Sequence, residues 1–125
     1  MSPDWFELWW PAFLSTILSE VPIYALFLQQ RLGLFHALGI GLALQCITHP
    51  LFWLAWEIDP VLFYAHYDLA VLLFEAFIFL AEAAIVWAVL PRREPWHRLA
   101  NPVLALLAST TANTVSLVIG LLQGA

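Results

Sequence analysis

The chain has 125 residues, of which 63% are hydrophobic and 10% are charged. A soluble domain of this length cannot bury so much apolar surface, so the composition indicates an integral membrane protein. Only four residues are basic, which is too few for a nucleic-acid-binding surface. Cys46 is the single cysteine, so an internal disulfide and a CxxC redox or zinc motif are excluded.

Four apolar segments follow one another along the chain, and each is long enough, at about 20 residues, to cross a hydrocarbon core. They cover residues 9–28, 34–56, 68–90 and 100–122. We therefore predict an all-α integral membrane protein, in which four transmembrane helices form a compact bundle. The whole chain, residues 1–125, is expected to be a single domain.

All four basic residues fall in loops on one side of this bundle. Arg31 follows the first span, and Arg92, Arg93 and Arg98 follow the third. Because cytoplasmic loops of membrane proteins are enriched in arginine and lysine, both termini are expected on the outer side. We expect a multi-pass protein of a cell membrane, with the bacterial inner membrane as the favoured location.

The segment IDPVLFYAHY lies between the second and third spans. Asp59 and Pro60 have the residue types of a helix N-cap and first helical position. A continuous helix from residue 60 to residue 90 would be roughly 46 Å long, well beyond a bilayer core. We therefore predict a short interfacial piece before the third span begins, which carries Phe63, Tyr64, His66 and Tyr67.

The third span contains acids at regular intervals. Asp68, Glu75 and Glu82 are spaced seven residues apart within DLAVLLFEAFIFLAEAAIVW. Seven residues are nearly two helical turns, so the three acids share one helix face. Because ionisable groups are costly in hydrocarbon, this face is predicted to point into the bundle.

The other three spans carry polar residues at a similar depth. With a rise of 1.5 Å per residue, Glu20, His49 and Asn113 lie roughly 12 to 16 Å below the outer ends of their spans. Two prolines, Pro22 and Pro50, follow closely on Glu20 and His49, and each removes a backbone hydrogen bond there. The predicted site comprises Glu20, Gln45, His49, Glu75, Glu82 and Asn113.

The chemistry of these side chains suggests a function. Burial disfavours the charged form of a carboxyl group, so Glu20, Glu75 and Glu82 are suited to binding and releasing protons. We therefore expect a small carrier or channel-like protein for protons or cations, with Gln45 and Asn113 as polar neighbours of the acids. Because four helices enclose little space, a homo-oligomer or a place in a larger membrane complex is expected.

Two other functions stay open. The chain could be a non-catalytic accessory subunit that packs within a larger membrane complex through its tryptophans and its small-residue faces. It could also be an intramembrane metal-dependent enzyme, in which His49, Glu75 and Glu20 bind a divalent metal ion. A single buried glutamate also serves simply as a hydrogen-bonding contact between helices, and rows of small residues serve as packing seams.

In its size, its four spans and the acid in its first span, the sequence resembles the small multidrug carriers. Those proteins rely on essentially one membrane carboxylate, whereas this chain has Glu20, Glu75 and Glu82 together with His49. The resemblance is therefore one of architecture, and it implies a role for no particular residue.

Overall fold

The computed structural model describes residues 3–124, and residues 1, 2 and 125 lie outside the described part. Within residues 3–124 the chain forms five helices, with no strand. Four of them are long and apolar enough to cross a membrane, which confirms the predicted all-α bundle of a multi-pass membrane protein. The helices are α1 (Pro3–Leu32), α2 (Leu34–Ile58), α3 (Pro60–Ala65), α4 (Tyr67–Val89) and α5 (His97–Gly124).

Helix α1 extends past both ends of its predicted span, residues 9–28. Asp4 lies in its first turn and Arg31 in its last turn, and these charges favour the two ends of the helix dipole. Gly33 then separates α1 from α2 with a φ of 80°, in the left-handed region where glycine is favoured. Its N–H donates to the Gln29 carbonyl over 2.8 Å, so the two helices reverse direction over a single residue.

The four spanning helices form a ring. Helix α1 packs along α2 and α5, and α4 packs along α5, whereas α2 and α4 make a smaller contact. The α1–α2 contact is close at Gly41, where an added Cβ would lie 3.2 Å from the Cβ of Tyr24. Between α1 and α5, the Ser15 hydroxyl donates a 3.0 Å hydrogen bond to the side chain of Gln123. The N-terminal half of α1 and the end of α5 therefore lie at the same end of the bundle.

The short helix α3 covers the end of the bundle between α2 and α4. Asp59 caps it by accepting a 3.0 Å hydrogen bond from the Leu62 N–H, and Pro60 occupies the first turn. Phe63 is buried and stacks on Trp56 of α2 at 4.8 Å between ring centroids. The predicted break before the third span is therefore present, and α3 is held by aromatic packing.

The arginine-bearing loop between α4 and α5 is tied to the bundle. Asn101 of α5 donates a 3.0 Å hydrogen bond to the Pro91 carbonyl, and the Glu94 N–H donates to Nδ1 of His97 over 3.2 Å. The guanidinium of Arg31 lies 4.2 Å from the centroid of the Trp96 ring. These contacts bring the end of α1 and the start of α5 together at this side.

Apolar side chains cover the outside of the bundle. Leu18, Phe35 and Leu99 are 75%, 86% and 82% exposed. Such a surface is unfavourable in water and suits contact with lipid chains. The polar side chains of the spanning helices are instead concentrated inside the ring.

Candidate functional site

Glu82 of α4 is the centre of the buried polar network. Its side chain is 0% exposed. The Tyr24 hydroxyl of α1 donates to its Oε2 over 2.6 Å, and Nδ2 of Asn113 on α5 donates to the same oxygen over 2.8 Å. The Thr48 hydroxyl of α2 lies 2.8 Å from Oε1. One carboxyl group thus joins all four spanning helices.

The Thr48 hydroxyl has two acceptors within reach. Its Oγ1 lies 2.9 Å from the Leu44 carbonyl and 2.8 Å from Oε1 of Glu82. A hydroxyl has one proton, so it cannot donate to both oxygens at once. If Glu82 is ionised, Thr48 donates to it. If Glu82 carries a proton, its O–H donates to Thr48, and Thr48 donates to Leu44, as threonines in helices commonly do.

Asn113 and Ser109 connect Glu82 to α5. Nδ2 of Asn113 also donates to the Ser109 carbonyl over 2.9 Å, which fixes the amide against its own helix. The Ser109 hydroxyl donates to the Phe79 carbonyl of α4 over 2.8 Å. The contact between α4 and α5 therefore combines side-chain and backbone hydrogen bonds, and it holds Asn113 where it contacts Glu82.

Glu20 and Gln45 form a second buried pair. Glu20 of α1 is 3% exposed and Gln45 of α2 is 1% exposed, and Nε2 of Gln45 donates to Oε2 of Glu20 over 2.5 Å. Ser116 of α5 lies beside the Glu20 carboxyl group, and Glu82 is close enough to interact with it electrostatically. The predicted acids of the first and third spans are therefore neighbours inside the bundle.

Glu75 occupies a more open position than the other two acids. It is half-buried and lines a groove between α4 and α5, with a volume of about 210 Å³, to which Asn113 and Thr114 also contribute. Glu75 and Glu82 interact electrostatically. Asn113 therefore lies between a groove that contains Glu75 and the enclosed carboxyl group of Glu82.

The structure places His49 in aromatic surroundings. Its ring centroid lies 5.4 Å from that of Phe13 and 6.1 Å from that of Trp9, both on α1. Its Nδ1 is buried with no hydrogen-bond partner among residues 3–124. Neither Pro22 nor Pro50 ends its helix, since α1 and α2 continue through them.

The three residues considered as metal ligands have different surroundings. Glu20 pairs with Gln45, Glu75 lines the α4–α5 groove, and His49 packs against aromatic rings. Across residues 3–124, no group of three His, Cys, Asp or Glu side chains is placed to hold a metal ion. The arrangement of the described side chains therefore lends no support to the metal-enzyme hypothesis.

The acids of the core have no basic residue among them. The chain contains no lysine, and its four arginines are residues 31, 92, 93 and 98. Arg31 is in the last turn of α1, and the other three lie beyond the end of α4. Glu20 and Glu82 therefore contact neutral hydrogen-bonding groups, and in the described part of the chain no arginine or lysine lies beside the three acids.

Sequence reasoning did not assign Tyr24, Thr48 and Ser109 to the site. Tyr24 lies one turn after Glu20 on the same face of α1, and Thr48 lies three residues after Gln45 on α2. Each therefore follows a predicted site residue at helical spacing, which is the signal that was available. The network of the described residues thus includes the hydroxyl groups of Tyr24, Thr48 and Ser109, and that of Ser116 beside Glu20, in addition to the predicted carboxyl and amide groups.

No protein-family model, characterised protein or solved structure matches the chain.

Proposed function

We propose that the chain is a small membrane carrier or channel-like protein for protons or cations, with protons as the favoured species. Glu82 is the central proton-binding group, and Glu20 and Glu75 are its acidic neighbours. Gln45, Thr48, Tyr24 and Asn113 supply the hydrogen bonds that hold these groups in place. The observation that supports the proposal is that the Glu20 and Glu82 carboxyl groups are both buried in one bundle, where they interact electrostatically with each other and with Glu75, and that among residues 3–124 no arginine or lysine lies beside them.

Like charges at short range in a low-dielectric interior cannot all be present at once. Glu20 and Glu82 are both enclosed, so bulk water does not screen their repulsion. At least one of the carboxyl groups must therefore bind a proton or a small cation to be stable there. A group of acids that needs a mobile positive charge is what a proton or cation carrier requires.

The hydroxyl contacts of Thr48 favour a proton over a metal cation. Thr48 reaches both Glu82 and the Leu44 carbonyl, so one proton on Glu82 changes the direction of a hydrogen bond without moving a heavy atom. A multivalent cation would need several carboxylate or imidazole ligands around one point. The carboxyl groups of Glu20 and Glu82 instead contact neutral amide and hydroxyl donors.

Two features of the fold are candidate routes by which a proton reaches the Glu82 carboxyl group. The α4–α5 groove brings Glu75 close to Asn113, which in turn donates to Glu82. The smaller contact between α2 and α4 is crossed by the Thr48–Glu82 pair. We propose that separation of α2 from α4 at this contact exposes Glu82 on the other side of the network.

The accessory-subunit alternative is supported by a different observation. Glu82 is fully enclosed and has hydrogen-bond partners on three other helices, as a purely structural polar contact would have. The exposed apolar side chains of α4, including Leu72, Leu73 and Phe77, are equally able to contact another protein or lipid. A test of transport by the isolated chain distinguishes the two functions.

The test is proton flux into vesicles that contain the purified full chain and a trapped pH-sensitive dye. After an imposed pH step with the membrane potential clamped, wild type is expected to dissipate the gradient faster than empty vesicles. Glu82→Gln is expected to reduce this flux to the level of empty vesicles. Glutamine imitates the protonated acid, since its amide donates to Thr48 and its carbonyl accepts from Tyr24 and Asn113.

Glu57→Gln is the matched control. It removes one carboxylate charge, as Glu82→Gln does, but from an exposed position at the end of α2. Its flux is expected to equal that of wild type. Replacing the proton gradient with a gradient of sodium or potassium at constant pH tests the cation form of the proposal. If the chain moves none of these ions, or if Glu82→Gln transports as wild type does, the carrier proposal is wrong and the accessory function is favoured.

A further inference from the structure

A second groove lies between α1 and α5, at the arginine-bearing side of the bundle. It has a volume of about 650 Å³, and its walls are mainly apolar, with Phe27, Val103 and Leu107 among them. Gln30 and Arg31 lie at one end. From residue 99 to residue 107 the α5 wall is about 12 Å long, so the groove extends from a polar end at Gln30 and Arg31 along the apolar residues of α5.

Arg31 has unused hydrogen-bonding capacity at this end of the groove. Its guanidinium lies over the Trp96 ring at 4.2 Å, and its Nη1 is enclosed without an acceptor among residues 3–124. A guanidinium presents five N–H donors in a planar fork that matches the oxygens of a phosphate group. An unpaired buried donor is unfavourable, so an anion that accepts from Arg31 stabilises this arrangement.

We propose that this groove binds an anionic phospholipid. The phosphate group contacts Arg31, and an acyl chain lies along Phe27, Val103 and Leu107. Three observations favour this occupant: the positive charge at the polar end, the apolar length behind it, and the opening of the groove toward the lipid-exposed surface, where Leu99 is 82% exposed. Basic pockets between transmembrane helices are known to bind anionic headgroups on the cytoplasmic side, which is the side predicted for Arg31.

The test uses the purified full chain in vesicles of equal parts phosphatidylglycerol and phosphatidylcholine. After extraction in a mild detergent, the phospholipids that remain bound to each chain are counted by native mass spectrometry. Wild type is expected to retain phosphatidylglycerol about fivefold over phosphatidylcholine, the preference that one basic group provides. In Arg31→Gln the two lipids should be retained equally. Arg93→Gln removes the same charge from an exposed loop position and should retain the wild-type preference.

A second variant tests the groove without changing any charge. Val103 is 56% exposed and lines the groove, so Val103→Trp is expected to fill it and to lower the retention of phosphatidylglycerol several-fold. Val118→Trp places the same side chain at a position that is 49% exposed on α5 and outside the groove, and it should behave as wild type.

Equal retention of the two lipids by wild type would overturn the proposal, as would unchanged retention in Val103→Trp. A competition experiment with inorganic phosphate completes the test. Displacement of the bound lipid by millimolar phosphate would indicate an ion site without an acyl-chain contribution, and the proposal would then be wrong. Resistance to phosphate supports it. None of these results depends on whether the chain transports protons.

Discussion

Tyr24 of α1 donates a 2.6 Å hydrogen bond to Oε2 of Glu82 on α4, and this bond crosses the diagonal of the bundle. Within residues 3–124, the backbones of α1 and α4 do not pack against each other. The Tyr24 side chain therefore connects two helices whose backbones are not packed together. Since Glu82 also contacts Thr48 and Asn113, the same carboxyl group adds side-chain hydrogen bonds between α4 and its packed neighbours α2 and α5.

The Tyr24–Glu82 bond predicts energetic coupling between these residues. Tyr24→Phe removes the hydroxyl and leaves Oε2 of Glu82 with one donor, so the free energy of unfolding should fall by about 1 kcal/mol. Unfolding in mixed micelles with increasing denaturing detergent measures it. A double-mutant cycle with Glu82→Gln should give a non-zero coupling energy. Tyr64→Phe is the control, because Tyr64 is 79% exposed, and its stability should equal that of wild type.

The close contact at Gly41 predicts a size limit at that position. A Cβ there would lie 3.2 Å from the Cβ of Tyr24 and 3.3 Å from the Cα of Val21, so Gly41→Leu must push α2 away from α1. Unfolding measurements should show a loss of about 1–3 kcal/mol, as for other overpacked positions. Gly39 lies two residues away, and a Cβ added there would meet no neighbouring atom within 4 Å. Gly39→Leu should therefore be tolerated, and equal losses at the two glycines would contradict the α1–α2 packing.

The arginine distribution predicts the orientation of the chain. In a Cys46→Ala background, a cysteine at Gly124 should react with a membrane-impermeant thiol reagent added to intact cells, whereas a cysteine at Arg93 should react only after the membrane is permeabilised. Both positions are exposed, so a difference in labelling reports the side of the membrane and not burial. Labelling at Arg93→Cys alone would reverse the orientation.

Hydropathy was sufficient to predict the number of spanning helices and their approximate positions. A break before the third span was also predictable, because a helix that starts at Asp59 and Pro60 and continues to residue 90 would be too long for a bilayer core, and the Asp59 cap forms as expected. Helix α1, Pro3–Leu32, is longer than the predicted span of residues 9–28. Apolar length alone does not define where a helix ends in the interfacial region.

The inward direction of Glu20, Gln45 and Glu82 could also be predicted, because polar groups in hydrocarbon require partners. The identity of those hydrogen-bonding partners could not be predicted from the sequence. Depth places His49 and Glu75 at one level, but it does not give the rotation of each helix about its axis, and that rotation turns His49 toward Phe13 and Trp9. It also brings Tyr24 and Thr48 to Glu82, because rotation is determined by packing between helices.

We propose that Glu82 exchanges a proton inside the bundle, and infrared spectroscopy of the reconstituted chain detects this exchange at the carboxyl group itself. A protonated carboxyl group has a C=O stretching band that an ionised carboxylate lacks. We predict a band of this kind that appears and disappears reversibly as the pH is changed, that shifts in heavy water, and that is missing from Glu82→Gln but present in Glu57→Gln. A spectrum in which Glu82→Gln removes no pH-dependent carboxyl band, while the protein stays folded throughout the titration, would contradict the claim.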